Sequence, residues 1–392
     1  MQHARPLPPA DEASREHSRR CAAWLRNRIA DAGGSIGFAE FMHHALYAPG
    51  LGYYAAGTRK FGAAGDYVTA PEISPLFGRT LARQCAGVLR DLRSATVLEF
   101  GAGSGKLAVD LLGALDRLDA LPQQYAIVEV SPELRERQQR RLHRDLPGLA
   151  GRVAWLDRLP DAIDGIVVAN EVLDALPVER FRRTSAGVEQ FRVAVSGEGF
   201  IFVHAAAPPV LADAVTGIEA DLGRQLPDGY VSEVCLAGPG WIGEVASALR
   251  NGTAFLFDYG VSRSEYYAPD RSGGWLRCHF RHRVHDDPLA LPGIQDLTAW
   301  VDFSAVAGAA AAAGCDVAGY VSQAHFLLGG GLEYEIADLQ ELPLQSQLEL
   351  AAQVRMLTLP GEMGENVKCL GLSRGSVPRP AVFTTNDRTH TL

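Results

Sequence analysis

From residue 96 onward, short apolar segments alternate with amphipathic helical segments, and this alternation constrains the fold of the 392-residue chain more than any other feature. Strands that alternate with helices join into a parallel sheet through right-handed crossovers, with helices on both faces. The segments are TVLEF (96–100), YAIVEV (125–130), RVAWL (152–156), GIVVAN (165–170) and TAFLFDYG (253–260). The sequence therefore predicts a doubly wound α/β fold.

Two later apolar segments, HFLLGGG (325–331) and NVKCLGLSRG (366–375), are expected to close this sheet antiparallel and bring it to seven strands. Residues 178–204 alternate around a turn as antiparallel strands do, and helical sequence follows. We therefore expect a domain over residues 94–392 with an inserted hairpin and helical subdomain at about 178–250.

The amino-terminal region, residues 1–93, is predicted to begin with helices. Apolar side chains recur every fourth residue at Cys21, Leu25 and Ile29, which is typical of an amphipathic helix. A second helix is predicted to follow, with Ser35 as its cap.

A glycine-rich stretch of nearly thirty residues, 47–74, then follows neither the helix period nor the strand period. Loops of this length in compact proteins are usually functional or disordered, and its aromatic residues argue against disorder. Tyr53, Tyr54 and Tyr67 are candidates for a lid that excludes water from a bound ligand. Packing of the same rings in the core is the alternative.

The composition excludes several classes of function. With 37 basic and 46 acidic side chains the net charge is −9, so general binding of nucleic acid is not expected. The six cysteines contain no CxxC pair, and no apolar stretch reaches the roughly 18 residues of a membrane span. The first residues also lack the apolar run of a signal peptide. We therefore expect a soluble, cytoplasmic protein without membrane insertion.

The strand TVLEF leads directly into the turn GAGSG (101–105) and then into a helix. Glycines at such a turn let the backbone approach a ligand, and the helix start offers free N–H groups. A dinucleotide fingerprint requires glycine where Lys106 stands, and a P-loop requires Ser or Thr where Leu107 stands. Neither phosphate-binding pattern fits.

The pattern that fits is the turn of class I S-adenosylmethionine (SAM) methyltransferases, in which an acidic residue precedes GxGxG. Glu99 is that residue, and Gly101, Gly103 and Gly105 are the glycines. Glu129 ends the next strand, where a carboxylate can accept both hydroxyls of a ribose. We therefore predict that these residues bind SAM. A glycine turn that only packs the helix on the strand is the alternative.

Polar residues after the next two strands extend the predicted site. Trp155 is expected to stack on the adenine and Asp157 to accept from its amino group, with an ordinary surface loop as the alternative. The fourth strand ends at Asn170, and residues 170–177 are expected to face the transferred methyl group, because ligands of such sheets bind beyond the carboxyl ends of strands. Helix capping by Asn170 is the alternative.

An ordered series of segments over roughly residues 35 to 372 resembles the MidA family of SAM-dependent methyltransferases. The most specific are TAPEIS (69–74) and NEVLDALPV (170–178), accompanied by LFDYG and MGENVKCLGL. The mitochondrial member of that family is an assembly factor of respiratory complex I that dimethylates an arginine on a subunit of the complex. The resemblance therefore implies methylation of a protein arginine.

Carried over by position, the resemblance implies that the glycines of 101–105 form the SAM loop and that Glu129 binds the ribose. It also implies that residues 170–174 form the loop on the substrate side. Trp300 stands where the family pattern has a histidine, so a role for that histidine is not carried over.

Methyl transfer from a sulfonium is an in-line displacement that depends on positioning and electrostatics and needs no metal. An arginine acceptor adds a planar cation that carboxylates bind through two hydrogen bonds. Glu171 and Asp174 are the first candidates for this contact, and Glu72 is the third. The structural alternatives are a helix cap near Ser74 for Glu72 and support of its own loop for Asp174.

His279, His282 and His285 recur every third residue beside arginines. On a strand they would not share a face, so a basic segment that faces a partner is favoured over a metal site. The expected partner is a protein substrate that carries an arginine, and a homodimer is an open alternative to a monomer. Two rival functions stay open: a methyltransferase of small molecules, and an assembly protein with a vestigial SAM site.

Overall fold

The computed structural model describes residues 7–55 and 68–392, and the statements below concern these residues. Contacts divide the chain into two compact units. The large unit comprises Val68–Leu173, Gly240–Val261 and Val301–Leu392, and the small unit comprises Met1–Tyr67, Asp174–Pro239 and Ser262–Trp300. The division at residue 93 stays a prediction.

The described helices, in chain order, are α1 (Glu12–Asp31), α2 (Phe38–Tyr47), α3 (Ala70–Ile73), α4 (Pro75–Leu89), α5 (Lys106–Arg117), α6 (Pro132–Asp145), α7 (Pro209–Leu222), α8 (Gly238–Ala248), α9 (Arg263–Tyr266), α10 (Phe303–Ala312), α11 (Gln323–Gly329), α12 (Leu332–Glu335), α13 (Leu344–Thr358) and α14 (Met363–Asn366). The described strands are β1 (Ser35–Gly37), β2 (Thr96–Phe100), β3 (Gln124–Val128), β4 (Val153–Leu156), β5 (Ile163–Asn170), β6 (Glu179–Thr184), β7 (Gly187–Ser196), β8 (Gly199–Ala206), β9 (Val231–Val234), β10 (Leu249–Val261), β11 (Leu276–Phe280), β12 (Arg283–His285), β13 (Asp296–Ala299), β14 (Val301–Asp302), β15 (Asp316–Ser322) and β16 (Val367–Arg374).

The large unit is built on a mostly parallel sheet, which confirms the predicted α/β class. Its strand order is β15-β16-β10-β5-β2-β3-β4, and the short β14 pairs with the end of β10. Neighbours from β10 to β4 pair in parallel, whereas β16 is antiparallel to both β10 and β15.

The two central strands β5 and β10 are apolar because both faces of the sheet are covered. Residues 166–168 of β5 and 254–257 of β10 are buried, with almost no exposed surface. Phe257 packs edge-on against Phe77 at 4.9 Å and Phe326 at 4.8 Å between ring centroids. Burial on both faces explains why these strands appear in the sequence as continuous apolar runs.

The strand order reverses between β2 and β5. From β2 the chain continues to β3 and β4 on one side, and it returns through β5 and β10 on the other. Phe100 at the end of β2 pairs with Ala169 of β5, so the two strands end side by side. Open sheets of this kind bind ligands beyond the carboxyl ends of the strands at such a reversal.

The small unit contains two antiparallel sheets and the amino-terminal helices. One sheet has the order β1-β7-β6-β9 with β8 on β7, and the other has the order β12-β11-β13. Asp11 caps α1 by accepting from the Ser14 N–H at 2.8 Å. The predicted stripe of α1, Cys21, Leu25 and Ile29, is buried in the core of this unit.

Two local predictions are wrong. Ser35 does not cap α2, because it lies in β1, and Gly37 is the cap residue without a side-chain hydrogen bond. HFLLGGG is not a strand, since most of it lies in α11, and β15 takes its place in the sheet. Ser322 caps α11 by accepting from the His325 N–H at 3.3 Å. Short apolar runs cannot be separated into strand and helix by period alone.

The histidine triplet lies on a hairpin of the small unit. His279 is in β11 and His285 is in β12, and His282 occupies the turn between them with φ +59°. All six cysteines are in the described part of the chain and are free. Within the described residues, no helix is both long and apolar enough to cross a membrane.

Replacing Phe257 by alanine tests the core of the large unit. The side chain is fully buried between Phe77 and Phe326, so truncation leaves a cavity and should lower the free energy of unfolding by about 3–5 kcal/mol. Urea denaturation measures the change, with Val130→Ala as the control because Val130 is 75% exposed. A loss below about 1 kcal/mol for Phe257→Ala would contradict this packing.

Candidate cofactor site

The glycine turn follows β2 and forms the centre of the candidate site. Gly101, Gly103 and Gly105 all have left-handed φ values, +61°, +50° and +78°. A Cβ on Gly101 would lie 3.0 Å from Val172 Cγ2, and one on Gly105 would lie 3.2 Å from Gln138 Cα. The turn therefore needs glycine both for its backbone conformation and for its close neighbours.

Glu99 lies in β2 two residues before the first glycine, and only 2% of it is exposed. Its Oε2 accepts a hydrogen bond from the Tyr125 hydroxyl at 2.7 Å. The pKa of Glu99 is raised to about 7. Burial is the main cause and the charge of Glu129 adds to it, whereas the hydrogen bond from Tyr125 partly offsets them. Contact of Glu99 with a cofactor stays a prediction.

Glu129 follows β3 and is held in one orientation by two donors. Its Oε1 accepts from the Ser131 N–H at 2.9 Å, and its Oε2 accepts from the Gln138 side-chain amide at 3.2 Å. Burial raises the pKa of this carboxyl group, and the two hydrogen bonds lower it. Each carboxylate oxygen keeps acceptor capacity, which the hydroxyls of a ribose can use.

Gln138 of α6 joins the parts of the site, and the sequence analysis did not identify it. Its fully buried side chain donates to the Gly103 carbonyl at 3.1 Å as well as to Glu129. Its Oε1 accepts from the Trp155 indole N–H at 2.8 Å. Its spacing could have indicated its burial. Gln138 precedes Leu142 by four residues, so the two lie on the same face of an otherwise polar helix, and that face is buried.

Trp155 and Asp157 lie at and just after the end of β4. Trp155 is half-buried and is oriented by its bond to Gln138. Asp157, with 89% of its side chain exposed, pairs with Arg135 at 2.6 Å. Arg135 also donates to the carbonyls of Glu129 and Leu156, so it joins the ends of β3 and β4. Contact of Trp155 and Asp157 with adenine stays a prediction.

Glu72 of α3 borders the glycine turn. Its carboxylate accepts a hydrogen bond from the Ser104 hydroxyl and lies 3.8 Å from the Arg141 guanidinium. Arg141 also donates to Ser104 Oγ at 3.1 Å. The cap of α4 is Ser74, whose hydroxyl accepts from the Leu76 N–H, so Glu72 does not have the capping role considered above.

Asn170 and Glu171 lie at the end of β5, beside the glycine turn. The buried Oδ1 atom of Asn170 has no hydrogen-bond partner among the described residues. Glu171 has a left-handed φ of +52°, and its N–H donates to the Phe257 carbonyl at 2.8 Å. A non-glycine residue in this conformation is strained, and such strain is concentrated at functional sites.

Asp258 of β10 holds the loop after β5. The sequence analysis did not identify it as a functional residue. Its fully buried carboxylate accepts from the Val172 N–H at 3.1 Å and the Leu173 N–H at 2.8 Å. Its other oxygen accepts from the Tyr259 N–H at 2.9 Å. The acidic residue inside the apolar run LFDYG was the available signal.

Asp174 belongs to the small unit and is 7% exposed. Its carbonyl accepts from the Ala299 N–H at 2.9 Å. The pKa of the neighbouring Tyr47 is raised, first by burial and then by the charges of Asp296 and Asp174. A role of Asp174 in binding substrate stays a prediction.

The aromatic residues of the predicted lid have different positions. Tyr53 is buried in the core of the small unit, and the Tyr54 hydroxyl donates to Asp296 at 2.9 Å. Tyr67 lies outside the described residues. Water exclusion by these residues stays a prediction.

The residues present fit SAM. The glycine turn lies at the end of β2, and acceptors lie at the ends of the two strands that flank β2. These acceptors are Glu129 after β3 and, at the end of β5, Asn170 Oδ1, which has no partner among the described residues. SAM offers donors of the matching kind, namely the ribose hydroxyls and the amino group. Gln138 would hold the turn and Glu129 in their relative positions.

The variant Glu99→Gln tests the burial of this carboxyl group through pH. The folded-state pKa is about 7 against an ordinary value of 4.5, so above about pH 4.5 the unfolded chain ionises first and folding loses stability until about pH 7. Glutamine removes this cost. The difference in free energy of unfolding, variant minus wild type, should therefore increase by about 3 kcal/mol from pH 4 to pH 8. Urea titrations at each pH measure it. A pH-independent difference would contradict the burial argument.

Replacing Gln138 by leucine should weaken SAM binding at least tenfold. The change removes the bonds to Gly103, Glu129 and Trp155 and leaves buried polar groups unpaired, each at a cost of about 1–3 kcal/mol. Calorimetric titration with S-adenosyl-homocysteine measures the affinity. The control is Gln139→Leu, because Gln139 is the exposed neighbour on the same helix. Wild-type affinity in Gln138→Leu would show that the network does not support the site.

Comparisons with known proteins agree with SAM as the cofactor. A family model of S-adenosyl-L-methionine-dependent methyltransferases matches residues 80–321. The structure is similar to that of a Burkholderia thailandensis protein bound to S-adenosyl-homocysteine, with 43% identity, a TM-score of 0.92, and coverage of 99% of this chain and 100% of that one.

Two curated relatives are also similar over most of their length. The mitochondrial protein arginine methyltransferase NDUFAF7 of Danio rerio is 31% identical over 85% of this chain and 82% of its own. The Drosophila melanogaster homologue is 31% identical over 96% of this chain and 90% of its own. With the geometry above, these matches establish that the chain belongs to the MidA family of SAM-dependent methyltransferases, whose cofactor is SAM.

Proposed function

We propose that this protein transfers the methyl group of SAM to an arginine side chain of a protein substrate. The observation that carries the proposal is the similarity to proteins named protein arginine methyltransferase, which extends over 96% of the chain for the Drosophila relative. A match of this length covers far more than a cofactor-binding sheet.

The cofactor is proposed to lie between Glu129 and the loop after β5. The glycine turn would accept its amino acid part, Glu129 its ribose, and Asn170 Oδ1 a donor group. Glu99, Trp155 and Asp157 complete the proposed contacts. When bound, SAM would supply a methyl group on a sulfonium, which a nucleophile can attack in line with S-adenosyl-homocysteine as the leaving group. The residues of the chain therefore need to orient that nucleophile and to exclude water.

Glu171 and Asp174 are the proposed ligands of the guanidinium group. A carboxylate that accepts two hydrogen bonds from guanidinium fixes its plane and offsets its charge, which aims one nitrogen at the methyl group. The left-handed backbone of Glu171 supports this assignment, because strain at the end of β5 indicates a constraint other than stability. Asp258 would keep this loop in place.

Glu72 is the third proposed carboxylate. Its position 3.8 Å from the Arg141 guanidinium supports an affinity for guanidinium groups, and its bond with Ser104 supports a second role in holding the glycine turn.

In the same proposal, the substrate is a subunit of a respiratory complex, as the family resemblance implies. The chain acts in the cytoplasm, where its free cysteines would stay reduced.

The variant Gly103→Val tests the proposal. Valine cannot easily adopt the φ of +50°, so the folded variant should lose SAM binding and all methyl transfer. Purified protein is incubated with radiolabelled SAM and its native cell extract, and the labelled residue is located by mass spectrometry. The matched control is Gly148→Val, where a Cβ meets no atom within 4 Å.

The outcomes separate the rival functions. Label on a protein arginine with wild type and Gly148→Val, but not with Gly103→Val, is the expected result. Label only in the small-molecule fraction would favour a small-molecule methyltransferase. No binding of SAM by the wild type in calorimetry would favour a vestigial site. Undiminished methylation by Gly103→Val would contradict the assignment of the glycine turn.

A further inference from the structure

Helix α13 of the large unit has two apolar faces. On its inner face Leu357 is fully buried, and Leu350 and Val354 pack against the core. On the other side Leu344 is 71% exposed and Leu348 is 64% exposed. An ordinary surface helix shows one apolar stripe and one polar face, so the second face of α13 is unusual.

The positions of these residues follow from the helix period of roughly 3.6 residues per turn. Leu344, Leu348, the alanines at 351 and 352, and Arg355 fall on one side. Leu350, Val354 and Leu357 fall about half a turn away. We call the first set the outer face of α13.

Leu344 and Leu348 lie four residues apart on the outer face, so they form one apolar patch rather than two isolated side chains. Leu342 before the helix is 39% exposed, and Met356 and Leu359 at its end are each 42% exposed. They place further exposed apolar surface near both ends of α13. Isolated exposed apolar residues need no explanation, but contiguous patches mark interaction sites.

The surroundings of the outer face are acidic. Residues 332–359 contain one basic side chain, Arg355, and a net charge of −4. The acidic members are Glu333, Glu335, Asp338, Glu341 and Glu349. Glu335 pairs with Arg83 at 2.8 Å, which leaves the others to set the local potential. A basic partner fits this surface, whereas a second copy would present the same acidic surroundings and be repelled.

The outer face also belongs to an element next to the candidate site. Helix α13 packs against α3, within the same unit. Helix α3 carries Glu72, whose carboxylate accepts a hydrogen bond from Ser104 of the glycine turn. A chain segment bound along α13 would thus be held beside the element that borders the cofactor loop.

We propose that the outer face of α13 docks a basic, amphipathic helical segment of the protein substrate. The apolar side of that segment would cover Leu344 and Leu348, and its arginines and lysines would face the acidic surroundings. This proposal rests on the proposed function, since it names the part of the enzyme that selects the protein to be methylated.

The double variant Leu344→Ser with Leu348→Ser tests the surface. The probe is a synthetic 18-residue amphipathic helix of leucine and arginine with a fluorescent label, followed by anisotropy. Wild type should bind it and the double variant at least tenfold more weakly. The control Val210→Ser changes an equally exposed apolar residue of α7, 61% exposed, and should bind as wild type does. Adding salt should weaken binding by wild type.

Two further readouts separate this proposal from the proposed function. Calorimetry with S-adenosyl-homocysteine should give equal affinity for all three proteins, which shows that they are folded. Methylation of protein in cell extract should fall at least tenfold in the double variant alone. If wild type methylates no protein, the proposed function fails. The peptide-binding measurement then still tests whether the outer face of α13 binds a basic helix.

Three results would overturn the docking proposal. They are no peptide binding by wild type, equal binding by the double variant, and equal methylation of extract protein by the double variant. Light scattering supplies a fourth such result. If the wild type is a dimer and the double variant is a monomer, the outer face joins two copies of the chain.

Discussion

The site depends on a close approach of backbone segments at the end of β2. Three glycines with left-handed φ values turn the chain from the strand into α5, and side chains from α6 and from the loop after β5 lie against two of them. Any Cβ at Gly101 would meet Val172, so the turn and that loop restrict each other. This constraint brings the end of β2 and the end of β5 to the same point, where the strand order reverses.

Two buried polar side chains keep this arrangement in place. Gln138 connects the turn, Glu129 and Trp155, and Asp258 accepts from consecutive N–H groups of the loop after β5. A buried amide or carboxylate is costly unless it is fully hydrogen-bonded, so these bonds specify one geometry as well as stabilise it. Beside this rigid frame lie the strained Glu171 and Asn170 Oδ1, which has no hydrogen-bond partner in the described part of the chain, as expected where a ligand completes the bonding.

Much of the frame could be predicted because its signals are local. The stripe of Cys21, Leu25 and Ile29 was enough to identify α1, and continuous apolar runs identified β5 and β10. The prediction was wrong where a short segment satisfies two patterns: HFLLGGG has no distinct period, and its helix depends on a cap from Ser322. Ser35 has the right chemistry for a cap, but it pairs with Ala194 of β7 instead.

The sequence by itself determined the alternation of strands and helices, the turn that only glycine can make, and the family to which the chain belongs. These properties depend on backbone conformation and on periods of two to four residues. Only the tertiary structure decided which polar side chains complete the site, because their partners are distant along the chain. Gln138 is 35 residues from the carbonyl it binds in the turn, and Asp258 is 86 residues from Val172. Such pairs exist only after the sheet has brought its strand ends together.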